Sequence, residues 1–540
     1  DIVAHYETYK PFKSVEWFRY LDALSDVGED EKISETVKQL WRSRTFLADD
    51  ERKFELQYGR LLSDEDHNKR MEWLLANDHK ISGERHLGRL VGEDRDLFLA
   101  RFALLKGNKS EANLLRQGLS DAQKMHPDFT LKDMRALIKD NMITKATELF
   151  LDVAATKPEP SRLIDMRIEL ARDAIYLKRY QTAYDLLADH GMPDGPKAGR
   201  ADALAGWLKL RKLKDTAGAI PHLRSALDSA KGADKSKAGL WLAKAYEAQG
   251  KDDEAKAALL LCSQQYIDLY AQICAEMGDL NQPIDATPLD KNFDAIAEAP
   301  MAKGARDLMK AGEARLASRL IYGLGDAVNT DAERRQVLGY AWSIGLKKFS
   351  YIAADRLLSK GYDVWSASRP MLDMNLRAMK STEDKALLFS LMYQESRFDP
   401  TTKSSAGAVG VAQLLPKTAE QMAKDQGLEF SEPRLVLDPE YNAQLGWYYI
   451  IWSKIRFDNH PLYVLVSYNA GPGRAKQWRK QLGDVVGKDA FAVLDWIEHI
   501  PFKETRTYVT KVFENVVPYK HLLTGEYQPT SVMDFISNAS

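Results

Sequence analysis

From the first residues to about position 280, apolar side chains return every three or four residues between short polar breaks, and almost no stretch alternates residue by residue as a half-buried strand would. The pattern predicts an all-α region. Three stretches, "YLKRYQTAYDLLADHG" (176–191), "WLKLRKLKDTAGAIPHLRSALDSA" (207–230) and "WLAKAYEAQGKDDEAKAALLLC" (241–262), each read as helix, polar turn, helix. Small residues that would seat the second helix on the first recur at Ala183, Ala217 and Ala255, spaced 34 and 38 apart, close to a tetratricopeptide-like period of about 34. A helix pair of this kind cannot bury its apolar face alone, so the expected architecture is a stacked solenoid with a concave side. A spacer or a protein-docking scaffold fits this half equally well.

The periodicity stops in "DLNQPIDATPLDKNFDAIAEAP" (279–300), which collects the proline, aspartate and asparagine of turns. Helical spacing resumes in "GARDLMKAGEARLASRLIYGLG" (304–325) and breaks again in "SRPMLDMNL" (368–376). Beyond that, Gly, Pro, Tyr and Trp gather in short loops between helices. Three parts are therefore expected: residues 1–282, 283–374 and 375–540.

Composition narrows the partners. Among 540 residues, 76 Lys and Arg face 78 Asp and Glu, so the net charge of −2 supplies no basic field for nucleic acid. Apolar runs such as "LYVLV" (462–466) fall far short of the roughly 20 residues that cross a bilayer as a helix. A start at Asp1, with no initiator Met or apolar leader, is expected of a mature form whose export signal has been removed. On one continuous helix, Cys262 and Cys274 would have Cα atoms about 18 Å apart and could not bond. A turn between them would change this, which leaves a disulfide and two free thiols equally open. No metal-ligand spacing accompanies them.

The candidate chemistry lies in the last third. "DKALLFSLMYQESR" (384–397) reads as one helix with Leu387, Leu388, Leu391 and Met392 on an apolar face and Glu395 one turn after Leu391, at its edge. A solvated glutamate near a helix end is the more ordinary reading. Desolvation by such neighbours would instead raise the carboxyl pKa toward the range of a general acid. "SSAGAVGVAQLLP" (404–416) supplies Gly407 and Gly410 for close backbone approach and Gln413, whose amide could fix a hydroxyl or N-acetyl group; it has no P-loop spacing. "LVSYNAGPGRAKQWRK" (465–480) adds a basic cluster, Arg474, Lys476, Arg479 and Lys480, which reads as a solvated helix face. Taken singly, Tyr468 and Tyr508 read as core aromatics, and Glu504 and Arg506 in "IPFKETRTYV" (500–509) as local ion-pair partners.

Together and in this order, "QESRFDP", "SSAGAVGVAQLLP", "SYNAGPGR" and "IPFKETRTYV" resemble the soluble lytic murein transglycosylases, whose catalytic domain is goose-type-lysozyme-like. The resemblance covers about 120 residues strongly and the helical N-terminal region more weakly. It implies an all-α protein: a ring-forming helical superhelix (1–282), a small helical linker domain (283–374) and a lysozyme-like catalytic domain (375–540). By the same resemblance Glu395 is the single catalytic acid/base, and Ser404, Gln413, Leu415, Tyr468, Asn469, Glu504 and Tyr508 line the saccharide cleft. Two departures from the family pattern, Val411-Ala412 for a common Leu-Met and Leu415 for a common Met, are expected in the cleft wall.

The implied reaction cleaves the β-1,4 bond between N-acetylmuramic acid and N-acetylglucosamine without water, closes a 1,6-anhydro ring, and needs no metal or cofactor. The implied partners are peptidoglycan glycan strands, with other cell-wall enzymes docking on the superhelix; the implied setting is a periplasmic monomer without a membrane segment. Glycosidases usually need two carboxylates. Asp399, before Pro400, reads better as a turn cap, and the residues alone leave Glu504 open as a second carboxylate. The rivals are a lysozyme-type hydrolase and a non-catalytic murein-binding scaffold.

Overall fold

The computed structural model describes residues 2–8, 10–11, 13–92, 94–140, 142–155, 160–264, 268–280, 292–360, 381–524 and 531–538, and between them positions 362, 364, 366–369, 371, 374 and 379. Among these the chain is helical throughout, and its extended pairing amounts to two isolated bridges, Lys403 with Val409 and Val409 with Leu414. The expected all-α class holds. The chain forms two compact units, residues 1–163 and 164–540. The expected boundary at 282/283 lies outside the described residues, as do 375–378 beside the second.

In the first unit the helices Ser14–Asp26, Asp30–Ser43 and Ala48–Tyr58 close over Leu21, Leu24, Val37, Trp41 and Phe54. Arg70 is buried against this core. Its guanidinium lies 4.0 Å over Trp41 and donates to the Trp41 and Arg44 carbonyls at 2.6 and 2.8 Å, which offsets the cost of burying it.

The second unit opens with consecutive helix pairs. Pro196–Trp207 packs on Thr216–Ser229, that helix on Ala233–Glu247, and that one on Asp252–Ser263. Glycines set the spacing: a Cβ at Gly206 would fall 2.5 Å from Leu223, and one at Gly239 would fall 2.8 Å from Cys262. Ala183 and Ala255 are buried as expected, but Ala217 is exposed. The seat in the middle pair is Ala219, fully buried one half-turn later, and with it the repeat becomes regular at thirty-six residues on either side. The helix holding Cys262 ends at Ser263, and the next begins at Leu269, capped by Asp268, whose Oδ1 accepts from the Ala271 N–H at 3.0 Å. That break brings the Cys262 and Cys274 Cα atoms to 5.9 Å and the two form a disulfide.

After the short helix Asp294–Ala297 come four longer ones, Pro300–Lys310, Ala314–Ala327, Asp331–Ser343 and Lys347–Ser359, around Ala317, Ile321, Val337, Tyr340 and Leu357. The C-terminal part is built from α1 (Thr382–Ser396), α2 (Pro416–Asp425), α3 (Pro439–Arg456), α4 (Pro461–Ala470), α5 (Pro472–Leu482), α6 (Ala490–His499) and α7 (Lys503–Thr524). Helix α1 runs along α7, and α4 along α3 and α7. Contrary to the single apolar face expected for it, α1 is buried on every side from Ala386 to Tyr393, because it passes through the middle of this part.

Candidate active site

Glu395 stands on the last turn of α1. The chain cannot continue as a helix beyond it: Arg397 and Phe398 both take left-handed backbone angles, φ 54° and 60°, unfavourable for side chains with a Cβ. Packing holds them there. Arg397 pairs with Asp355 at 2.9 Å and lies 3.9 Å over Tyr393, while Phe398 is buried against Phe389 and Tyr519. Asp399 then closes the turn, its Oδ1 accepting from the Thr401 N–H at 3.0 Å and the Thr401 hydroxyl at 2.6 Å.

The returning loop is clamped beneath Glu395 from several helices. Ser396, its chain neighbour, donates from Oγ to the Val411 carbonyl at 2.8 Å. From α3, the fully buried Asn442 accepts from the Ala412 N–H at 2.8 Å and donates to the Val409 carbonyl at 3.1 Å. From α4, the Tyr468 hydroxyl donates to the Ala412 carbonyl at 2.7 Å. Gly410, at φ 83°, is required where it stands, since a Cβ there would lie 2.2 Å from Asn442 Nδ2 and 2.3 Å from the Leu435 carbonyl.

The Glu395 side chain is half-buried among these groups. Desolvation pushes its carboxyl pKa up from 4.5 to about 7; the Tyr508 hydroxyl pulls it down, and the charge of Glu504 pushes it further up. The buried Tyr508 hydroxyl makes no hydrogen bond of normal geometry, and burial followed by the neighbouring Glu395 charge drives its own pKa well above 10. Burial and the same charge do likewise to Tyr468. Glu504 is exposed in the first turn of α7.

Of the residues singled out in the sequence, the fold thus brings Tyr468, Tyr508 and Glu504 to Glu395. Asn469 accepts from the Thr505 hydroxyl at 2.7 Å, which joins α4 to α7 at the same end and leaves its Nδ2 as the donor for a ligand. Gln413, left-handed at φ 48°, donates from Nε2 to the Thr402 and Gly410 carbonyls at 2.8 and 2.9 Å, so only its Oε1 remains to meet a ligand. For Ser404 and Leu415 the described contacts are with other groups than Glu395. The Ser404 Oγ accepts from the Ala408 N–H at 3.0 Å and closes its own loop, and Leu415 is 45% exposed at the start of α2. Val411 and Ala412, expected in the cleft wall, are fully buried in the core instead. A Cβ at Gly446 of α3 would lie 2.8 Å from that of Ala412, so a small side chain is matched to a close helix approach. Sequence reading missed Asn442, Gly446 and Tyr449, whose ring meets Tyr468 edge-on at 5.2 Å. The one available signal was a polar Asn inside the apolar helix "YNAQLGWYYII" (441–451).

With this geometry, residues 374–490 match the family model described as the transglycosylase SLT domain. This segment is similar to SLT domains. The soluble lytic murein transglycosylase of Salmonella typhimurium is 26% identical over 78% of this chain and 59% of its own length. The Escherichia coli protein of the same name is 30% identical over 52% of this chain and 43% of its own. The chain thus spans less than two thirds of these curated relatives. Among solved structures, an inactive mutant of the lytic transglycosylase Slt from Pseudomonas aeruginosa superposes with a TM-score of 0.67, at 21% identity, over 99% of this chain and 86% of that one. The 70 kDa soluble lytic transglycosylase of Escherichia coli gives 0.60 at 19% identity, over 96% and 82%. At these identities the likeness establishes a shared all-helical fold.

Proposed function

We propose that the chain is a peptidoglycan lytic transglycosylase in which Glu395 serves as both acid and base. The observation that carries this reading is one carboxyl, half-buried and lifted to a pKa of about 7, in an SLT domain whose other nearby acids are an exposed helix-start residue, Glu504, and a turn cap, Asp399. A pKa of about 7 leaves Glu395 about half protonated near neutral pH and still basic enough to take a proton back.

In the proposed reaction, protonated Glu395 donates to the oxygen linking N-acetylmuramic acid to N-acetylglucosamine as the bond from that oxygen to C1 breaks. The carbonyl oxygen of the muramic N-acetyl group supports the positive charge developing at C1. Glu395, now a carboxylate, removes the proton from the C6 hydroxyl of the same sugar, and that oxygen bonds to C1. The acid is regenerated, and no water is consumed. Ring closure is favoured because the hydroxyl is already tethered to the reacting centre. Tyr468, Asn469, Tyr508 and the Gln413 Oε1 are the groups we assign to holding the muramic ring, with Ser404 and Leu415 further along the cleft. The disulfide between Cys262 and Cys274 supports an oxidising compartment such as the periplasm.

Two variants test the assignment on purified sacculi. Glu395→Gln is expected to bind glycan but to lose ~10²-fold or more of the turnover, the usual scale for a missing proton donor. Glu504→Gln is expected to stay within a few-fold of the parent. More than a tenth of the activity left in Glu395→Gln would overturn the role given to Glu395, and equal losses in both would indicate a two-carboxylate glycosidase.

A further inference from the structure

The helix Lys347–Ser359 lies before the segment that carries the four motifs, yet Asp355 on it reaches the last turn of α1. Its carboxylate collects three donors. The Tyr393 hydroxyl donates to both of its oxygens at 3.1 Å, Arg397 pairs with Oδ2 at 2.9 Å, and the Arg369 Nη1 donates to Oδ1 at 3.3 Å. Arg369 carries the contact on to α7, where its Nε donates to the Asn515 Oδ1 at 2.6 Å, and its guanidinium lies 4.9 Å over the Tyr393 ring. One carboxylate thus joins a helix of the preceding part to α1 and, through Arg369, to the helix that bears Tyr508 and Glu504.

Tyr393 and Arg397 stand two residues to either side of Glu395. Two positions along a helix turn through about 200°, so Tyr393 leaves α1 on the side away from Glu395, and Asp355 grips the turn from behind. The helix ends at Ser396, and Arg397 then takes a left-handed backbone that a side chain with a Cβ does not hold unaided. Burial works against the Arg397 charge. Asp355 does most to sustain it, with Tyr519 and Glu514 adding to that and Arg369 opposing. Asp355 itself is 34% exposed, and Arg369 keeps Asn515 and Ser368 as partners, so cutting the Asp355 side chain back does not empty a sealed core.

We infer that Asp355 is a positioning residue for Glu395: through Arg397 and Tyr393 it fixes the last turn of α1 from behind and so holds the Glu395 carboxyl in its half-buried place. It rests on the reading of Glu395 as acid and base, and the test separates the two. A staple that only joined two parts of the fold would lower the melting temperature and leave the Glu395 proton where it is. A positioning residue moves that proton, because Glu395 holds it tightly through burial first of all, and a loosened turn lets water reach the carboxyl.

Asp355→Asn and Arg397→Gln cut the pair from either side in the full chain. Arg397→Gln leaves Asp355 to Arg369 and Tyr393, so it strands no buried charge and keeps the test open where the first variant is unstable. On purified sacculi each is expected to lose about ten-fold in kcat with KM little changed, the scale of a slightly misplaced reacting group. The double variant should lose no more than either single one, since the two act as one unit. The falling limb of kcat/KM, near pH 7 in the parent, should move to lower pH in all three. Lys360→Gln, which breaks the ion pair to Asp326 at the end of the same helix, should change none of these. In parallel the Glu395 carboxyl is titrated without turnover, as the carbon-13 carboxyl resonance that is missing from Glu395→Gln, and it should titrate lower in Asp355→Asn and Arg397→Gln than in the parent. An unmoved limb and an unmoved titration, with or without a lower melting temperature, would overturn the inference. So would losses that multiply in the double variant, or an equal shift in Lys360→Gln, since any disturbance of that helix would then suffice. An inactive parent, or Glu395→Gln as active as the parent, would instead fail the reading of Glu395, while the titration would still decide whether Asp355 holds its carboxyl.

Discussion

At the scale of single residues, the account turns on how burial and two neighbours set one proton. Burial raises the Glu395 carboxyl, Tyr508 lowers it and Glu504 raises it. The acid must be protonated to begin the reaction, so kcat/KM is expected to fall as pH rises through about 7, with that limb reporting Glu395 in the free enzyme. The signs of two shifts follow. Tyr508→Phe removes the lowering influence and should move the limb to higher pH; Glu504→Gln removes a raising charge and should move it to lower pH. A pH–rate profile of each variant on soluble glycan checks both. Movement of the two limbs in the same direction would mean that Glu395 is not the group being titrated.

At the scale of elements, the 402–414 loop is held by α1, α3 and α4 as well as by its own pairing. Asn442 carries much of this, with two hydrogen bonds made where water cannot substitute. Asn442→Ala leaves the Ala412 N–H and the Val409 carbonyl buried without that partner and is expected to cost ~2–4 kcal/mol. A thermal melt should show the loss, and activity should fall with it because the Tyr468 contact to Ala412 shares the loop. An unchanged melting temperature would show that the clamp is not what fixes the loop. The helices and the candidate glutamate, Glu395, were legible in the sequence because periodicity and the four motifs are local. Asn442 was not, because what gives it meaning is a contact thirty residues away with Ala412. The exposure of Ala217 and burial of Ala219 escaped for a related reason: a two-residue change of register leaves the composition of a helix untouched and alters only which side meets its neighbour. The disulfide depended on where one helix stops, the feature that periodicity reads least well.

At the scale of the whole molecule, residues 164–540 are one compact unit, and α6 is one of the elements that tie the C-terminal helices to the helix pairs before them. Asp495 accepts from the Trp207 Nε1–H at 2.8 Å and pairs with Arg211 and Lys212 at 3.0 Å. Glu498 is buried, and although burial would raise its carboxyl, Lys237 and Arg172 outweigh that and hold it below the ordinary range. Removing it strands two cations in a dry interface. Glu498→Ala is expected to destabilise this unit by ~3–5 kcal/mol, seen as a lower melting temperature. We propose that residues 375–540 carry the chemistry and that the helices from 164 to 374 support it through this contact. That chemistry is tested most directly by digesting murein in oxygen-18 water and weighing the products. A reaction in which Glu395 works alone predicts anhydro-muramic ends one water lighter than hydrolytic products, with no label at C1; reducing muramic ends carrying oxygen-18 would contradict it.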